Sequence, residues 1–431
     1  MRFVFYSTNS NYFDESTYKI TNIPEWKSQW QLFTQKYPEH QFIAVTQKPG
    51  MFLLDLESES QNSHIKILES DDSNTIAEYI ISLQPDYAIA LSFWVTPFDW
   101  LCIKDSIIGE KLKEKGIKTI CHNVETSMIC FDKNKTHEFL EKNNFNVAKA
   151  LFIDHDLYFC GGNRKEIKYN IYKEAVLAQV KKLHFPVVIK DTVGLSSYGM
   201  QVLNTYGEAV NYLNSKKHSS NRIIEEYIPG EQFGCEIYGA NGNYTVLPPF
   251  KFSVNQYGIT SPKQGIKLGP VEDPYYKTDE LYEQMKNLAA KLNLNGVAQV
   301  DLVFSNNKWF VIEINPRLSG MTTTYGASLQ KSVYQMVLDY CVFGCEDKKL
   351  MPALNMKLPL KSKTELQQLA QNPDIKFLSQ TEDLLAKQDR EMGYCEAIVT
   401  ASSFDKLQSI FEELLPELKT KYPSFHNSSE K

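Results

Sequence analysis

Three polar side chains occupy alternate positions in an otherwise apolar segment, Trp309–Gly320, whose sequence is WFVIEINPRLSG. They are the carboxylate of Glu313, the carboxamide of Asn315 and the guanidinium of Arg317. Side chains two residues apart lie on the same face of a β-strand. The segment therefore predicts a core strand that carries all three groups on one face.

A second strand, in the preceding stretch VAQVDLVF, brings another carboxylate, and the two strands form a predicted β-hairpin. Gln299 and Asp301 share a face of it. A two-residue turn would put Asp301 and Glu313 on opposite faces, whereas a three-residue turn, Asn306–Lys308, would set them opposite each other. Asparagine tolerates the left-handed conformation that the longer turn needs.

If the two carboxylates are neighbours, they repel each other and need a counter-ion. Oxygen donors suit a hard cation such as magnesium, which takes one or two protein carboxylates and completes its shell with water and substrate phosphate. Asp301, Glu313 and Asn315 are therefore the predicted metal ligands. The alternative is the polar outer face of an edge hairpin, and the apolar character of both strands argues against it.

A lysine followed by a loop of small residues forms a second candidate site. In FPVVIKDTVGLSSYGM, Lys190 ends an apolar strand. The loop contains Ser196, Ser197 and Gly199, small residues that allow backbone N–H groups to approach phosphate oxygens. It is not a Walker A loop, because Met and Gln follow the second glycine where Lys and Ser or Thr are required. A solvated lysine and an ordinary turn between strands are the alternative.

The third candidate is IIEEYIPG, an apolar strand that runs into Glu225, Glu226, Tyr227 and Ile228 before a Pro-Gly turn. Such a segment can offer backbone donors and acceptors to the edge of a base while apolar side chains enclose the ring. A strand with two solvated glutamates before a turn is the alternative.

Composition limits the function classes. The chain has 431 residues, 42% of them hydrophobic, and a net charge of −6. It is long enough for two or three cores, and no strong field attracts it to nucleic acid or to an anionic membrane. Its eight cysteines contain no CxxC pair, which is typical of a reduced compartment. We find no signal peptide or membrane-spanning run, so we expect a soluble cytoplasmic protein without nucleic-acid or membrane partners.

The N-terminal part alternates strand-like runs such as RFVFYS and QFIAVT with amphipathic helices such as EWKSQWQLFTQKY. This alternation predicts βα units on a parallel sheet, and no GxGxxG follows the first strand. After about residue 124 helices and hairpins follow each other irregularly. The last part is predicted to add a strand and an amphipathic helix.

In this order, the motifs resemble those of the ATP-grasp superfamily. The resemblance runs from FDKNKTHEFL through FPVVIKDTVGLSSYGM, RIIEEYIPGEQFGCEIYG and GVAQVDLVF to FVIEINPRLSGMTT, which is nearly half the chain. SSYGM is similar to the phosphate-covering loop of D-alanine:D-alanine ligases, and the whole resembles L-amino acid ligases as well. EINPR is closer to biotin carboxylase and carbamoyl phosphate synthetase.

The resemblance implies an α/β and α+β fold with ATP between two α+β subdomains. It divides the chain into an N-terminal parallel α/β domain, a lid subdomain with a linker helix, a catalytic subdomain and a small C-terminal βα extension. The predicted bounds are 1–124, 125–228, 229–345 and 346–431.

The resemblance also implies roles for the candidate residues. Lys133 and Lys190 would touch the nucleotide phosphates, and the loop with Ser196, Ser197 and Gly199 would close over them. Glu225 and the backbone of Glu226, Tyr227 and Ile228 would read adenine. Asp301, Glu313 and Asn315 would hold Mg²⁺ or Mn²⁺. Arg317 would lie near the transferred phosphate and the acyl group, and with Lys190 and Asn315 it forms the implied catalytic set.

Two positions beside the turn after Pro229 carry further expectations. Gln232 stands where relatives have a glutamate that binds the ribose, and a carboxamide can still donate and accept there. Glu236 is a candidate ribose or metal-shell contact, or else a partner for a nearby cation. Further along, Thr322 and Thr323 open a predicted helix and either cap it or hold a substrate carboxylate.

The implied activity is ADP-forming ligation: a carboxylate is activated as an acyl phosphate and captured by an amine, giving an amide or peptide bond. A homodimer is expected by analogy. The alternatives are bicarbonate activation of the biotin carboxylase type and an ATP-binding module without catalysis. All four of Asp301, Glu313, Asn315 and Arg317 are present, which argues against the last.

Overall fold

A computed structural model describes most of the chain with side chains. The described residues are 1–7, 18–47, 54–93, 99–160, 168–194, 200–215, 219–253, 265–346, 349–360, 362–383, 394–414 and 423.

The N-terminal part forms a parallel α/β domain, as predicted. Its strands and helices are β1 Arg2–Tyr6, β2 Tyr18–Ile23, α1 Trp26–Lys36, β3 Gln41–Gln47, β4 Ser63–Leu68, α2 Ser73–Ser82, β5 Tyr87–Ala90, α3 Leu101–Glu114 and β6 Lys118–Ile120. In the described part, five of the strands pair in parallel in the order β4-β3-β1-β5-β6. Because the carboxyl ends of parallel strands share one edge, the loops after β5 and β6 emerge together.

The two faces of this sheet have different partners. One face packs under α2 and α3 through side chains such as Val4, Ile80 and Ile108. The other face carries Phe3 and Phe5 and continues into the rest of the molecule without a break in the core. This shared core fixes the N-terminal domain against the part of the chain that carries the candidate site.

The next segment is a small antiparallel α+β unit. It contains α4 Val124–Phe131, α5 Lys133–Lys142, β7 Ala150–Ile153, α6 His155–Phe159, α7 Ile171–Val180, β8 Val187–Asp191, β9 Gln201–Leu203, α8 Tyr206–Leu213 and β10 Arg222–Glu226. Its sheet has the order β7-β10-β8-β9. Asp132 begins α5 by accepting bonds from the amides of Asn134 and Lys135, so Lys133 is the first residue of a capped helix.

The third part builds a large antiparallel sheet. It contains β11 Glu231–Ala240, β12 Asn243–Val246, β13 Phe250–Ser253, β14 Ile266–Gly269, α9 Thr278–Lys291, β15 Gly296–Ser305, β16 Lys308–Asn315, α10 Gly320–Leu329 and α11 Val333–Cys341. β15 and β16 form the predicted hairpin at one edge, and β11 pairs with β15. α10 and α11 pack between this sheet and the N-terminal domain, where the ring of Tyr334 lies 5.0 Å from that of Trp30.

The C-terminal part is larger than the predicted strand and helix. It contains β17 Ala353–Pro359, α12 Lys363–Gln371, β18 Ile375–Asp383, β19 Tyr394–Thr400 and α13 Phe404–Leu414. Its strands continue the large sheet, because β17 pairs with β14. β2, from the N-terminal part of the sequence, pairs with β18 and forms the far edge of the same sheet. The described sheet therefore runs β16-β15-β11-β13-β14-β17-β19-β18-β2, with β12 on β11.

Among the described residues, the helices are all too short or too polar to cross a bilayer.

Candidate active site

The hairpin of β15 and β16 pairs Asp301 with Glu313, and its turn alone does not explain this pairing. The turn has two residues, Asn306 and Asn307, which both have positive φ. That turn by itself would place the carboxylates on opposite faces, and the alternative three-residue turn is not formed. A β-bulge after Asp301 places Ile312 as an extra residue and restores the pairing of Asp301 with Glu313.

A line of hydrogen bonds crosses the hairpin on the face that carries these carboxylates. The Arg317 guanidinium donates from Nη2 to Oδ1 of Asn315 at 3.1 Å. Asn315 donates from Nδ2 to Oε1 of Gln299 at 2.8 Å, and Gln299 donates from Nε2 to Oδ1 of Asp301 at 2.7 Å. The structure thus brings together Asp301, Asn315 and Arg317 as predicted, and it adds Gln299 as their connection.

The two carboxylates differ in their electrostatic surroundings. Burial and the nearby Glu313 charge raise the pKa of Asp301 to about 6. Burial would also raise the pKa of Glu313, but Lys133 and Lys190 hold it below its ordinary value. Nζ of Lys133 lies 3.0 Å from Oε1 of Glu313. At neutral pH the site therefore holds two carboxylates, of which only Glu313 is directly paired with a lysine.

Lys133 and Lys190 reach this point from the neighbouring unit. Nζ of Lys133 also donates to the carbonyl of Gly194, at 3.0 Å. Burial would lower the pKa of Lys190, but Glu225 and the more distant Glu313 raise it. Both lysines lie at the junction of the two α+β units, and their contact with nucleotide phosphates stays a prediction.

The predicted adenine contacts stay a prediction, and three of these residues have partners inside the protein. The Glu225 carboxylate pairs with Nζ of Lys190 at 2.7 Å. The amide of Glu226 donates to the carbonyl of Lys149, and the amide of Tyr227 donates to that of Pro186. These two backbone donors are therefore used inside the protein. The Ile228 amide makes no hydrogen bond within the described part of the chain and stays a predicted contact.

The side chain of Glu226 points away from the lysine pair. Its Oε1 accepts from the backbone and the ring of His184, both at 3.1 Å, and lies 3.4 Å from Nζ of Lys149. Its carboxylate therefore stabilises the outer side of the unit.

The other predicted nucleotide contacts divide into two groups. Gln232 pairs with Val303 across the strands, which puts it on the same face of the sheet as Asp301. Its role at the ribose stays a prediction. Ser196, Ser197 and Gly199 lie outside the described residues.

The structure contradicts a direct ligand contact for Glu236. Its side chain is 0% exposed. One carboxylate oxygen accepts from the hydroxyls of Ser319, at 3.0 Å, and Thr322, at 2.6 Å, and the other accepts from Tyr238 at 2.6 Å. Glu236 therefore fixes the beginning of α10 to β11.

The same contacts settle the roles of the threonines at this helix. Ser319 caps α10, and Thr322 completes a capping box with it. Thr322 is 0% exposed, so it cannot hold a substrate carboxylate. The Thr323 hydroxyl bonds to the carbonyl of Gly320 at 3.1 Å, as a helix residue commonly does.

A charged group that the sequence reasoning missed lies on the same face of the large sheet, beside the beginning of α10. Lys357 donates to Oε2 of Glu396 at 2.7 Å, and Asn355 donates to Oε1 of Glu396 at 2.6 Å. A Cβ on Gly320 would lie 3.7 Å from both Oε1 of Glu396 and Nζ of Lys267. The C-terminal strands thus contribute charge close to the candidate site.

The residues on this face fit a magnesium ion. No cluster of three or more His, Cys, Asp or Glu in the described ranges could hold a metal. Asp301, Glu313 and Asn315 instead offer two carboxylates and one carboxamide, which suits an ion that keeps much of its shell for water and phosphate. Burial and the Glu313 charge raise the pKa of Asp301, and a divalent cation bound beside it would lower that pKa.

The two α+β units bring lysines to a pair of carboxylates, beside a parallel α/β domain. Residues 130–321 match the family model of the ATP-grasp domain. The match covers 192 of the 431 residues, and enzymes of this family use ATP and Mg²⁺.

Known proteins are similar to this chain in sequence or in structure. The chain is 21% identical over 271 residues to the carbamoyl phosphate synthase large chain of Clostridium acetobutylicum. That alignment covers 60% of this chain and 24% of the relative, so the chain spans about a quarter of that protein's length.

The similar structures extend over almost the full chain. One is an N5-carboxyaminoimidazole ribonucleotide synthetase in complex with ADP, with a TM-score of 0.65, 14% identity and 96% of each chain covered. Another is an L-amino acid ligase from Bacillus licheniformis, with a TM-score of 0.64 and 14% identity, covering 96% of this chain and 97% of the other. These likenesses establish the fold.

Proposed function

We propose that the protein is an ATP- and Mg²⁺-dependent ligase that joins a carboxylate to an amine and releases ADP and phosphate. The observation that carries this proposal is the ion pair of Lys133 with Glu313, which is paired across the strands with Asp301. Lys190 and Arg317 lie close enough to lower the pKa of Glu313 through their charges. Phosphoryl transfer is accelerated mainly by positioning and charge neutralisation, for which this set is suited.

In the proposed reaction, a carboxylate oxygen of the substrate attacks the γ-phosphorus of ATP, and the bond to ADP breaks. The amine then attacks the carbonyl carbon, a proton leaves the nitrogen, and phosphate departs. Lys133 and Lys190 bind the phosphates, and Arg317 stabilises charge on the transferred group. Mg²⁺, held by Asp301, Glu313 and Asn315, would neutralise phosphate charge.

We further propose that the acceptor binds beside Lys267, Lys357 and Glu396. This group offers both signs of charge next to the beginning of α10. An amino acid has an ammonium group and a carboxylate, so it matches such a pair of charges. The group therefore favours an amino acid as one of the substrates.

Bicarbonate activation is the second candidate, because one similar structure is a biotin carboxylase domain in complex with MgADP and bicarbonate. In that case bicarbonate takes the place of the carboxylate substrate, and the product is a carboxylated amine. The site residues keep the same roles.

Release of ADP from ATP and Mg²⁺ distinguishes these proposals. The protein is assayed with pooled amino acids, with bicarbonate, and with neither. We expect ADP release that depends on paired amino acids, with an amide or peptide product visible by mass spectrometry. Release that depends on bicarbonate supports the second candidate. No release under any of the three conditions contradicts both and favours an ATP-binding module.

Lys190→Ala tests whether the activity belongs to this site. Removing the ammonium group leaves the phosphates without one of their two lysines, so we expect turnover to fall at least about 100-fold. Lys149→Ala is the control, because Lys149 contacts Glu226 on the outer side of the unit. Equal turnover of the two variants would show that the site is misplaced.

A further inference from the structure

The guanidinium of Arg317 is held by a residue of the N-terminal domain. Nε donates to Oδ2 of Asp99 at 2.5 Å, and Nη2 forms an ion pair with the same oxygen. The side chains of Arg317 and Asp99 are only 8% and 15% exposed. Asp99 lies just before α3, 218 positions away in the sequence. The N-terminal domain therefore supplies a charged group directly to the candidate site.

The contacts of Arg317 leave it a single orientation. A guanidinium has five N–H donors. Two hydrogen-bonding contacts go to Asp99, one goes to Oδ1 of Asn315, and Nη1 donates to the carbonyl of Leu318 at 3.0 Å. A planar group fixed on both of its edges cannot rotate without breaking several of these bonds.

The fixed orientation of Arg317 also determines the orientation of the proposed metal ligands Asn315 and Asp301. Because Oδ1 of Asn315 accepts from Arg317, its Nδ2 is directed to Gln299, and the Gln299 amide is in turn directed to Asp301. Every bond runs in the same sense, from the guanidinium to the carboxylate. A rotation of either amide would place two donors or two acceptors opposite each other.

We propose that Asp99 is a positioning residue of the active site. It orients Arg317 and, through the amides of Asn315 and Gln299, the metal ligand Asp301. This inference rests on the proposed function, because it takes Asp301 as a ligand of the catalytic cation. It makes the N-terminal domain part of the catalytic machinery and not only a neighbour of it.

The chain contains a matched ion pair without a connection to the site. Asp339 pairs with Lys331 at 2.9 Å and accepts from the hydroxyl of Tyr37 at 2.7 Å. It is therefore also a buried aspartate that links the N-terminal domain to the rest of the molecule. Substitution of Asp339 therefore measures how much metal binding and turnover change when a buried contact between the domains is lost away from the site.

The test compares Asp99→Asn with the control Asp339→Asn. Binding of Mn²⁺ in the presence of ADP is measured from the electron paramagnetic resonance signal of the free ion, and kcat and the KM for ATP are measured separately. Outer partners of metal ligands typically contribute 10–100-fold. We expect Asp99→Asn to weaken Mn²⁺ binding and to lower kcat by at least about 10-fold each, with the KM for ATP near that of the wild type.

Gln299→Leu provides a second test that leaves the contact between Asp99 and Arg317 intact. It breaks the line of hydrogen bonds at its centre, so we expect a similar loss of Mn²⁺ affinity. If Asp99→Asn binds Mn²⁺ and turns over like Asp339→Asn, the positioning role is wrong while the proposed function stands. If the wild-type protein itself binds no Mn²⁺ with ADP, the proposed function falls and this inference with it.

Discussion

The carboxyl group of Asp301 has a pKa of about 6 because burial and the Glu313 charge disfavour its ionised form. Above that pH the ionised group destabilises the metal-free protein. Asp301→Asn removes the charge and keeps an acceptor for Gln299. We expect it to raise the free energy of unfolding by about 1–2 kcal/mol at pH 7.5 and to abolish turnover. Urea unfolding in EDTA and ADP release with Mg²⁺ measure the two effects.

Glu396 provides the opposite case for the same measurement. Burial would raise its pKa, but Lys357 and Lys267 lower it to about 2. Its charge therefore stabilises the folded state at pH 7.5, and the contribution is lost as pH falls from about 4.5 to about 2. Glu396→Gln is expected to lower the free energy of unfolding by about 1–2 kcal/mol at pH 7.5. The same sign for both variants would contradict the electrostatic assignment of Asp301.

Single residues of the site differ in how far the sequence reveals them. Glu313, Asn315 and Arg317 are visible because alternation along one strand needs only the local sequence. Asp99 is not, because its contact with Arg317 spans 218 positions and depends on how two domains pack. The partner of a predicted residue is equally hidden, as Glu225 shows by pairing with Lys190.

At the scale of the element, two features set the register of the hairpin of β15 and β16, namely its turn and its bulge. Its turn is of the two-residue kind with both central residues at positive φ, which favours Asn-Gly over Asn-Asn. We expect Asn307→Gly to raise the free energy of unfolding by about 0.5–1 kcal/mol. Turnover should not change, because the bulge at Ile312 sets the pairing of Asp301 with Glu313. Thermal unfolding and ADP release are the measurements.

A loss of turnover in Asn307→Gly would show that the turn, and not the bulge, controls the metal face. The bulge itself could not be predicted, because one extra residue within a strand leaves no mark in its hydrophobic pattern. Asp301 and Glu313 do pair, but through a two-residue turn and a bulge and not through the three-residue turn that the sequence also allows. The three-residue turn and the bulge both add one residue to the hairpin, so they give the same pairing.

At the scale of the whole molecule, the large sheet joins segments that the sequence places far apart. β2, close to the beginning of the chain, pairs with β18, close to its end. The parallel N-terminal sheet was predictable from alternating helices and strands. The pairing of β2 with β18 was not predictable, because it depends on how distant parts of the chain assemble into one sheet. The bounds predicted for the four parts stay predictions. β2 lies within the predicted N-terminal domain but pairs with β18 of the C-terminal part.

His122 connects the N-terminal domain to β15 and makes that connection sensitive to pH. Its ring accepts from the amide of Asn295 at Nδ1, 3.1 Å away, so Nε2 carries the proton and donates to the carbonyl of Val297 at 2.9 Å. Burial lowers its pKa to about 4. As pH falls below about 6.5, His122 binds a proton in the unfolded chain but stays neutral in the folded protein. The free energy of unfolding therefore decreases between about pH 6.5 and 4.

The wild-type protein should therefore lose about 1 kcal/mol of unfolding free energy through this group between pH 7.5 and 5.5. Glutamine does not titrate, so the free energy of unfolding of His122→Gln should decrease by about 1 kcal/mol less than that of the wild type over the same interval. His64→Gln is the control, because the His64 side chain is 60% exposed. Urea unfolding curves at both pH values decide the point. If His122→Gln and His64→Gln have the same pH dependence, protonation of the domain contact does not govern the acid stability of this protein.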